Sequence, residues 1–221
     1  MTAPSGRWLA WVWAMSRLAL IAMALVVVLR SETGDTFLGV VSHWDVDHFL
    51  GLARDGYQIE GEDANRMAFF PGLPIVLAPF IAIGIPGAVA GLIVSAIASA
   101  VAAAALHRLG GFWAAALWLI APAAVFGFVP YTEALFCAFA FWAWERARAD
   151  RWAAAALLAA GACTVRVSGL FLIGALGIMI LTRPMPDGTT PAARVTGWLH
   201  RAVWLLIPAA ATFAYFLYLF G

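Results

Sequence analysis

Apolar residues in this chain come in long runs, not at scattered helical or strand spacings. The runs cover residues 8–29, 86–106, 112–129, 131–144, 152–182 and 202–220. A helix needs about 20 mostly apolar residues to cross a hydrocarbon core of about 30 Å, so the pattern predicts a multi-pass α-helical membrane protein. The first run begins at Trp8 and carries a single charge, Arg17. It has no A-x-A site before the charged stretch that follows, which predicts a retained signal-anchor helix, not a cleaved leader. Residues 69–84 interrupt the pattern with Pro71, Pro74 and Pro79, followed by Gly84 and Pro86. Proline removes a donor and clashes inside helices, so this piece reads as an interfacial or re-entrant element. The run 152–182 is too long for one upright helix. A hairpin of two short helices turning near Arg166-Val167-Ser168-Gly169 fits it, each limb about 21 Å at 1.5 Å per residue.

Charge sets the orientation. Arg7 precedes the first run, His107 and Arg108 separate two runs, and Arg146, Arg148 and Arg151 separate two more. Arg183, Arg194 and Arg201 fall in the polar stretch 183–201, whereas 31–68 is acidic. Basic loops stay in the cytoplasm, so the acidic loop belongs outside. An odd number of crossings must then separate residue 68 from residue 107. That predicts one span at 88–106, with 69–84 kept on the outer side. Spans at 112–129 and 131–147, the 152–182 hairpin and 199–220 complete about seven crossings. Two ordinary spans in 69–106 are the alternative, and they would put Arg146, Arg148 and Arg151 outside. The predicted fold is all-α and polytopic, a single transmembrane domain over 1–221. Its outer loop, 30–69, carries an amphipathic helix at 43–55.

Composition adds little but excludes some classes. The chain is 64% hydrophobic and 11% charged, with net charge +1 and mean hydropathy +0.91. Such a balance offers no basic surface for nucleic acid. All 13 basic residues are arginine, which with the abundant alanine suggests a GC-rich bacterial genome. That makes the expected location a bacterial plasma membrane. Cys137 and Cys163 both lie in apolar runs and read as small buried hydrophobes, with no disulfide or metal framework.

Against this background the stretch SHWDVDHFLGLARDGY, residues 42–57, is exceptional. Ser42 and Asp45 have capping-box spacing, and Gly56 is a helix stop. Val46, Phe49, Leu50 and Ala53 make one apolar helical face, so a short helix on the outer membrane surface is expected. Asp45 and Asp47 then point about 160–200° apart and cannot form one carboxylate pair, whereas Asp45 and His48 are neighbours. A metal site from His43 and Asp47 is geometrically feasible but has too few ligands. No cofactor is expected and no metal is indicated.

Two ionisable groups near the ends of apolar runs, Glu133 in PYTEALF and Arg166 in TVRVSGL, are functional candidates because such residues are costly in a bilayer. Plainer accounts stand beside them. Glu133 after a Thr132 cap complements a helix dipole, and Arg166 snorkels or pairs with Glu133.

The ordered set HWDVDHFLGLARDGY, MAFFPGLP, VPYTEALF and TVRVSGL resembles the GPI mannosyltransferase II family, the PIG-V-like proteins of the GT-C class of membrane glycosyltransferases. It covers about residues 40–182. The resemblance implies a lipid-linked donor, a polyprenyl- or dolichyl-phosphate sugar, typically mannose. It also implies transfer on the non-cytoplasmic face with inversion, and an essential acid on the first outer loop. On that reading Asp45 is the expected base and Asp47 its neighbouring catalytic candidate. Arg166, with Arg66 behind it, is expected at the phosphate. Tyr131, Glu133 and His48 are expected to line the substrate site. Trp44 and Tyr57 either stack on sugar or anchor the helix at the interface. The acceptor would be a glycolipid, a lipoglycan or a protein, reached among membrane lipids. Family members are longer, so the chain is expected to lack the family's C-terminal part. A flippase-like transporter and a non-catalytic membrane subunit remain the competing classes. No repeat symmetry of the transporter kind is apparent.

Overall fold

A computed structural model describes residues 6–57, 67–184, 188 and 190–220. Among these residues the regular elements are all helical. Helices α1 (Gly6–Arg30), α5 (Gly87–Ile120) and the continuous stretch Pro191–Leu219 are long and apolar enough to cross a membrane. Shorter apolar helices are α4 (Gly72–Ala82), α7 (Trp152–Val165) and α8 (Gly169–Thr182). The protein is an all-α membrane protein. It divides into two compact units, Met1–Ala138 and Phe139–Gly221.

In the first unit α1 packs along α5. Leu9 of α1 is buried with Ala103, Ala115 and Leu119, and Trp13 donates its indole N–H to Ser99 at 3.0 Å. Small residues make this close approach work. Ser99, Ala103 and Ala115 are buried on α5 where α1 meets it, and small residues of this kind let helix backbones approach in lipid. Helix α5 is broken at Gly111, whose φ of 80° and ψ of −176° are non-helical. That break supplies the turn expected after His107 and Arg108. The expected span over 112–129, however, is not a continuous helix. It stops at Ile120, because the residue before Pro122 is driven out of the α region, and Ala121 is extended at φ −58°, ψ 151°. A six-residue 3-10 helix, Pro122–Gly127, follows.

Two short helices cover one end of this pair. Helix α2 (Phe37–Val41) starts at Thr36, whose hydroxyl accepts from the Gly39 N–H. Helix α3 (Val46–Asp55) ends at Gly56 with φ 72°, a value only glycine adopts freely. Val46, Phe49 and Leu52 of α3 are buried, and Leu50 and Ala53 pack against the same clusters. The expected apolar face is therefore the face that packs. Burial of each such side chain is worth about 1.5–3 kcal/mol.

The expected capping box does not form. Ser42 ends α2, and its buried hydroxyl has no hydrogen-bond partner among the described residues. Trp44 intervenes with φ +60°, and α3 begins only at Val46. Helix α4, with Pro79 inside it, is about 16 Å long at 1.5 Å per residue. Its Leu73 and Leu77 pack with Phe49 of α3 and Ala90 and Val94 of α5.

Helix α6 (Thr132–Arg148) runs from the first unit into the second. Thr132, expected as its cap, is its first residue. In the second unit α7 and α8 form a hairpin with its turn at Arg166-Val167-Ser168, as the run length had suggested. A Cβ on Gly169 would come within 2.5 Å of the Cys163 Cα, so glycine is what lets the two limbs close. Helix α9 (Pro191–Ala202) leads through a 3-10 turn into α10 (Leu206–Phe220), which lies along α7. The sequence places residues 191–198 in a loop. Thr190 and Pro191 instead start a helix there: the Thr190 hydroxyl accepts from the Ala193 N–H at 3.3 Å, and proline suits the first turn.

Candidate functional site

The first unit gathers most of the expected residues around Tyr131. Small residues of α5 position it. Ser95 donates its hydroxyl to the Val129 carbonyl at 2.8 Å. A Cβ on Gly91 would lie 2.3 Å from the Pro130 Cβ, so the 128–131 segment sits directly on that glycine. Tyr131 is buried, with its ring edge-on to Phe49 at 6.2 Å and tilted against Phe126 at 5.7 Å. Its hydroxyl accepts the backbone N–H of Asp45 at 3.0 Å.

That bond leaves the Asp45 side chain free. Asp45 occupies the N-cap position of α3, but its backbone is already helical, φ −73° and ψ −5°, and its side chain makes no capping bond. A carboxylate caps well only from an extended backbone that turns it over the first N–H groups. Asp45 is exposed, and the Asp45 and Glu133 carboxylates both act on Tyr131 electrostatically. Asp47 is also exposed, in the first turn of α3, where an acid complements the helix dipole.

Trp44 is the strained member. Its left-handed backbone costs about 1–2 kcal/mol for a residue with a Cβ. The conformation throws the indole outward, 72% exposed, with Phe126 as a neighbour at 6.3 Å. His43 is exposed beside it. His48 is half-buried and stacks on Phe69 at 4.8 Å. Tyr57 donates its hydroxyl to the Phe69 carbonyl, which ties the end of α3 to the segment before α4. No three His, Cys, Asp or Glu among the described residues form a metal-binding group.

Beside this cluster lies a cavity of about 150 Å³, lined by Arg17, Trp118, Gly127, Glu133, Cys137 and alanines of the 121–124 segment. Glu133 sits in the first turn of α6, and the Thr132 hydroxyl reaches it at 3.5 Å. Arg17 is the site residue that the sequence reading passed over. It is 6% exposed, donates to the Gly127 carbonyl at 2.8 Å and contacts the Ser16 hydroxyl at 3.3 Å. The available signal was the lone charge in the first apolar run. Run length counts that charge only as an interruption of the apolar stretch. Arg166 belongs to the second unit, half-buried at the α7–α8 turn, where its N–H bonds the Ala162 carbonyl. Arg66 lies outside the described residues.

Known proteins share this region. Residues 13–187 match the family described as mannosyltransferase (PIG-V). Human GPI alpha-1,6-mannosyltransferase 2 is 36% identical over 158 residues, 63% of this chain and 31% of the human protein. The rat protein of that name is 36% identical over 161 residues, 64% of this chain and 32% of its own length. The mouse protein is 37% identical over 158 residues, 63% and 31% of the two chains. The chain thus spans about a third of the length of the curated relatives it matches. No solved structure matches it. The matched segment contains α3, Tyr131, Glu133, Arg17 and Arg166 together, and the chain belongs to the mannosyltransferase (PIG-V) family.

Proposed function

We propose that this protein is a membrane mannosyltransferase. It transfers mannose from a polyprenyl- or dolichyl-phosphate donor to an acceptor on the non-cytoplasmic face of the plasma membrane, with inversion. The acceptor is a glycolipid, a lipoglycan or a protein hydroxyl. Family membership supports the sugar and the reaction class. One structural observation carries the mechanism: Asp45 has its backbone held by buried Tyr131 while its exposed carboxylate makes no capping bond. A general base needs that combination of a fixed position and an unspent acceptor.

In this reading the acceptor oxygen attacks the anomeric carbon of mannose, and Asp45 takes the hydroxyl proton. The bond from that carbon to the phosphate oxygen breaks, and its electron pair stays on the phosphate. Glu133 accepts hydroxyls of the sugar. Trp44, exposed beside Phe126, covers a sugar face, and His48 and Tyr57 shape the approach around Phe69. Asp47 is the second carboxylate on α3 and the fallback base. Arg166 lies in the second unit and Arg66 outside the described residues, so their expected part at the lipid phosphate rests on the family resemblance alone.

The test is transfer of radiolabelled mannose from polyprenyl-phosphate mannose to membrane lipids by the purified protein. Asp45→Asn should abolish transfer, and Asp47→Asn should retain most of it. Near-normal transfer by Asp45→Asn would remove Asp45 as the base.

A further inference from the structure

We infer that Arg17 and the cavity beside it bind the phosphoryl group of a lipid-linked ligand, within the first unit and below the level of Asp45. The inference deepens the proposed transferase reading and rests on it for the identity of the lipid.

Arg17 is costly where it stands. It is the twelfth residue of a 25-residue apolar helix, and an arginine at the centre of a membrane helix costs about 2.5–3.5 kcal/mol to insert. A guanidinium carries five N–H donors. Its described contacts are one hydroxyl and one carbonyl, both neutral. Among the described residues no carboxylate forms an ion pair with it, Glu133 of the same cavity included, so the charge has no direct partner in a low-dielectric setting.

The cavity suits a compact anion. It opens on Arg17 and is small, about 150 Å³. An engineered cavity of about that volume holds one six-membered ring, so the space suits a single compact group and not a whole glycolipid. A phosphoryl oxyanion supplies the negative charge and the acceptors that the guanidinium lacks. Glu133 lines the same cavity and repels the phosphate. Its place is therefore against hydroxyls of the attached sugar.

Leu20, Ile21 and Ala24 of α1 pack in the cluster that holds Val46 and Tyr131. Arg17 lies four residues below Ile21, about 6 Å along the helix. An inverting displacement needs the base and the departing group on opposite sides of the anomeric carbon. A sugar held between Asp45 above and Arg17 below satisfies that requirement. When the carbon–oxygen bond breaks, the charge gained by the phosphate oxygen develops at the guanidinium.

Cys137 lines the cavity and reports its occupancy. The experiment follows N-ethylmaleimide alkylation of Cys137 in the full chain carrying Cys163→Ala, in detergent. Polyprenyl monophosphate should protect Cys137 at concentrations about tenfold below those at which neutral polyprenol acts, the gain expected from charge-assisted bonds. Equal protection by the two lipids overturns the inference, as does equal protection by inorganic phosphate or by phosphatidylglycerol. Arg17→Met should lose the discrimination and Arg17→Lys should keep part of it. Full discrimination by Arg17→Met also overturns it. If Arg17→Met does not fold, the comparison of ligands on the arginine-bearing protein decides alone. Protection without mannose transfer would sink the proposed activity and keep this site. Transfer without protection would do the reverse.

Discussion

The backbone N–H of Asp45 and the hydroxyl of Tyr131 meet at 3.0 Å across 86 residues of sequence. The bond joins the start of α3 to the residue before α6, and it places a free carboxylate without using it. Tyr131→Phe removes the acceptor and leaves the ring contacts to Phe49 and Phe126. A net hydrogen bond is worth about 0.5–1.5 kcal/mol, so turnover should fall about 2- to 12-fold, with KM for the donor little changed. Asp45→Asn should lose about 10²–10⁴-fold in turnover. Steady-state kinetics on the two variants separate positioning from chemistry, and a Tyr131→Phe loss as large as that of Asp45→Asn would contradict the assignment.

Trp44 offers a test of strain against contact. Glycine adopts φ +60° without penalty, so Trp44→Gly should relieve about 1–2 kcal/mol of backbone strain. Little packing opposes this gain, because the indole is mostly exposed. The thermal midpoint should hold or rise while transfer falls. A variant that keeps full transfer would show that the indole has no part in binding sugar.

Gly91 carries the 128–131 segment. Gly91→Ala puts a Cβ 2.3 Å from that of Pro130, and overpacking of this kind costs about 1–3 kcal/mol. Tyr131 should shift with Pro130, so transfer should drop along with stability in detergent. Gly174→Ala, where a Cβ meets nothing within 4 Å inside α8, is the control: transfer should be unchanged and stability should hold or rise, because alanine is the better helix former.

Asp150 in the second unit gives a pH dependence. Its carboxylate accepts from Arg201 at 3.0 Å and from the Trp152 indole at 2.6 Å, with Arg183 at 3.6 Å. The hydrogen bond from Arg201 leads the forces that lower its pKa from 3.8 to about 2. A carboxyl with a depressed folded pKa contributes stability above its unfolded value and loses it as the proton binds. That contribution should be complete above about pH 4 and should vanish between about pH 4 and 2. The group is half exposed, so the effect should stay below about 1 kcal/mol. Asp150→Asn should flatten this acid limb in thermal unfolding. Asparagine also accepts the left-handed backbone, φ 61°, found there.

Orientation is open to labelling. With Cys137 and Cys163 replaced, Arg54→Cys should react with an impermeant maleimide from outside intact cells, and Arg148→Cys only after permeabilisation. Labelling of position 148 from outside would favour two ordinary spans over 69–106.

Much of this architecture was legible because one-dimensional rules govern it. Run length announces a membrane helix, and the 152–182 run was long enough to require a hairpin. Helical periodicity gave the packed face of α3, and Gly56 gave its end. Errors arose where a local rule met a competing one. The Ser42–Asp45 spacing suited a capping box, but the left-handed turn at Trp44 moved the helix start to Val46. Hydropathy ran unbroken through 112–129, but Pro122 stopped the helix at Ile120.

By itself the sequence determined the membrane class, the hairpin within residues 152–182 and the identity of the family. Each depends on composition, length or ordered motifs, which survive projection onto a line. Only tertiary structure decided that Tyr131 holds Asp45, that Gly91 seats Pro130 and that Arg17 shares a cavity with Glu133. Those relationships join residues about 40 to 120 positions apart. Their energies come from close approach in three dimensions, which no local pattern encodes.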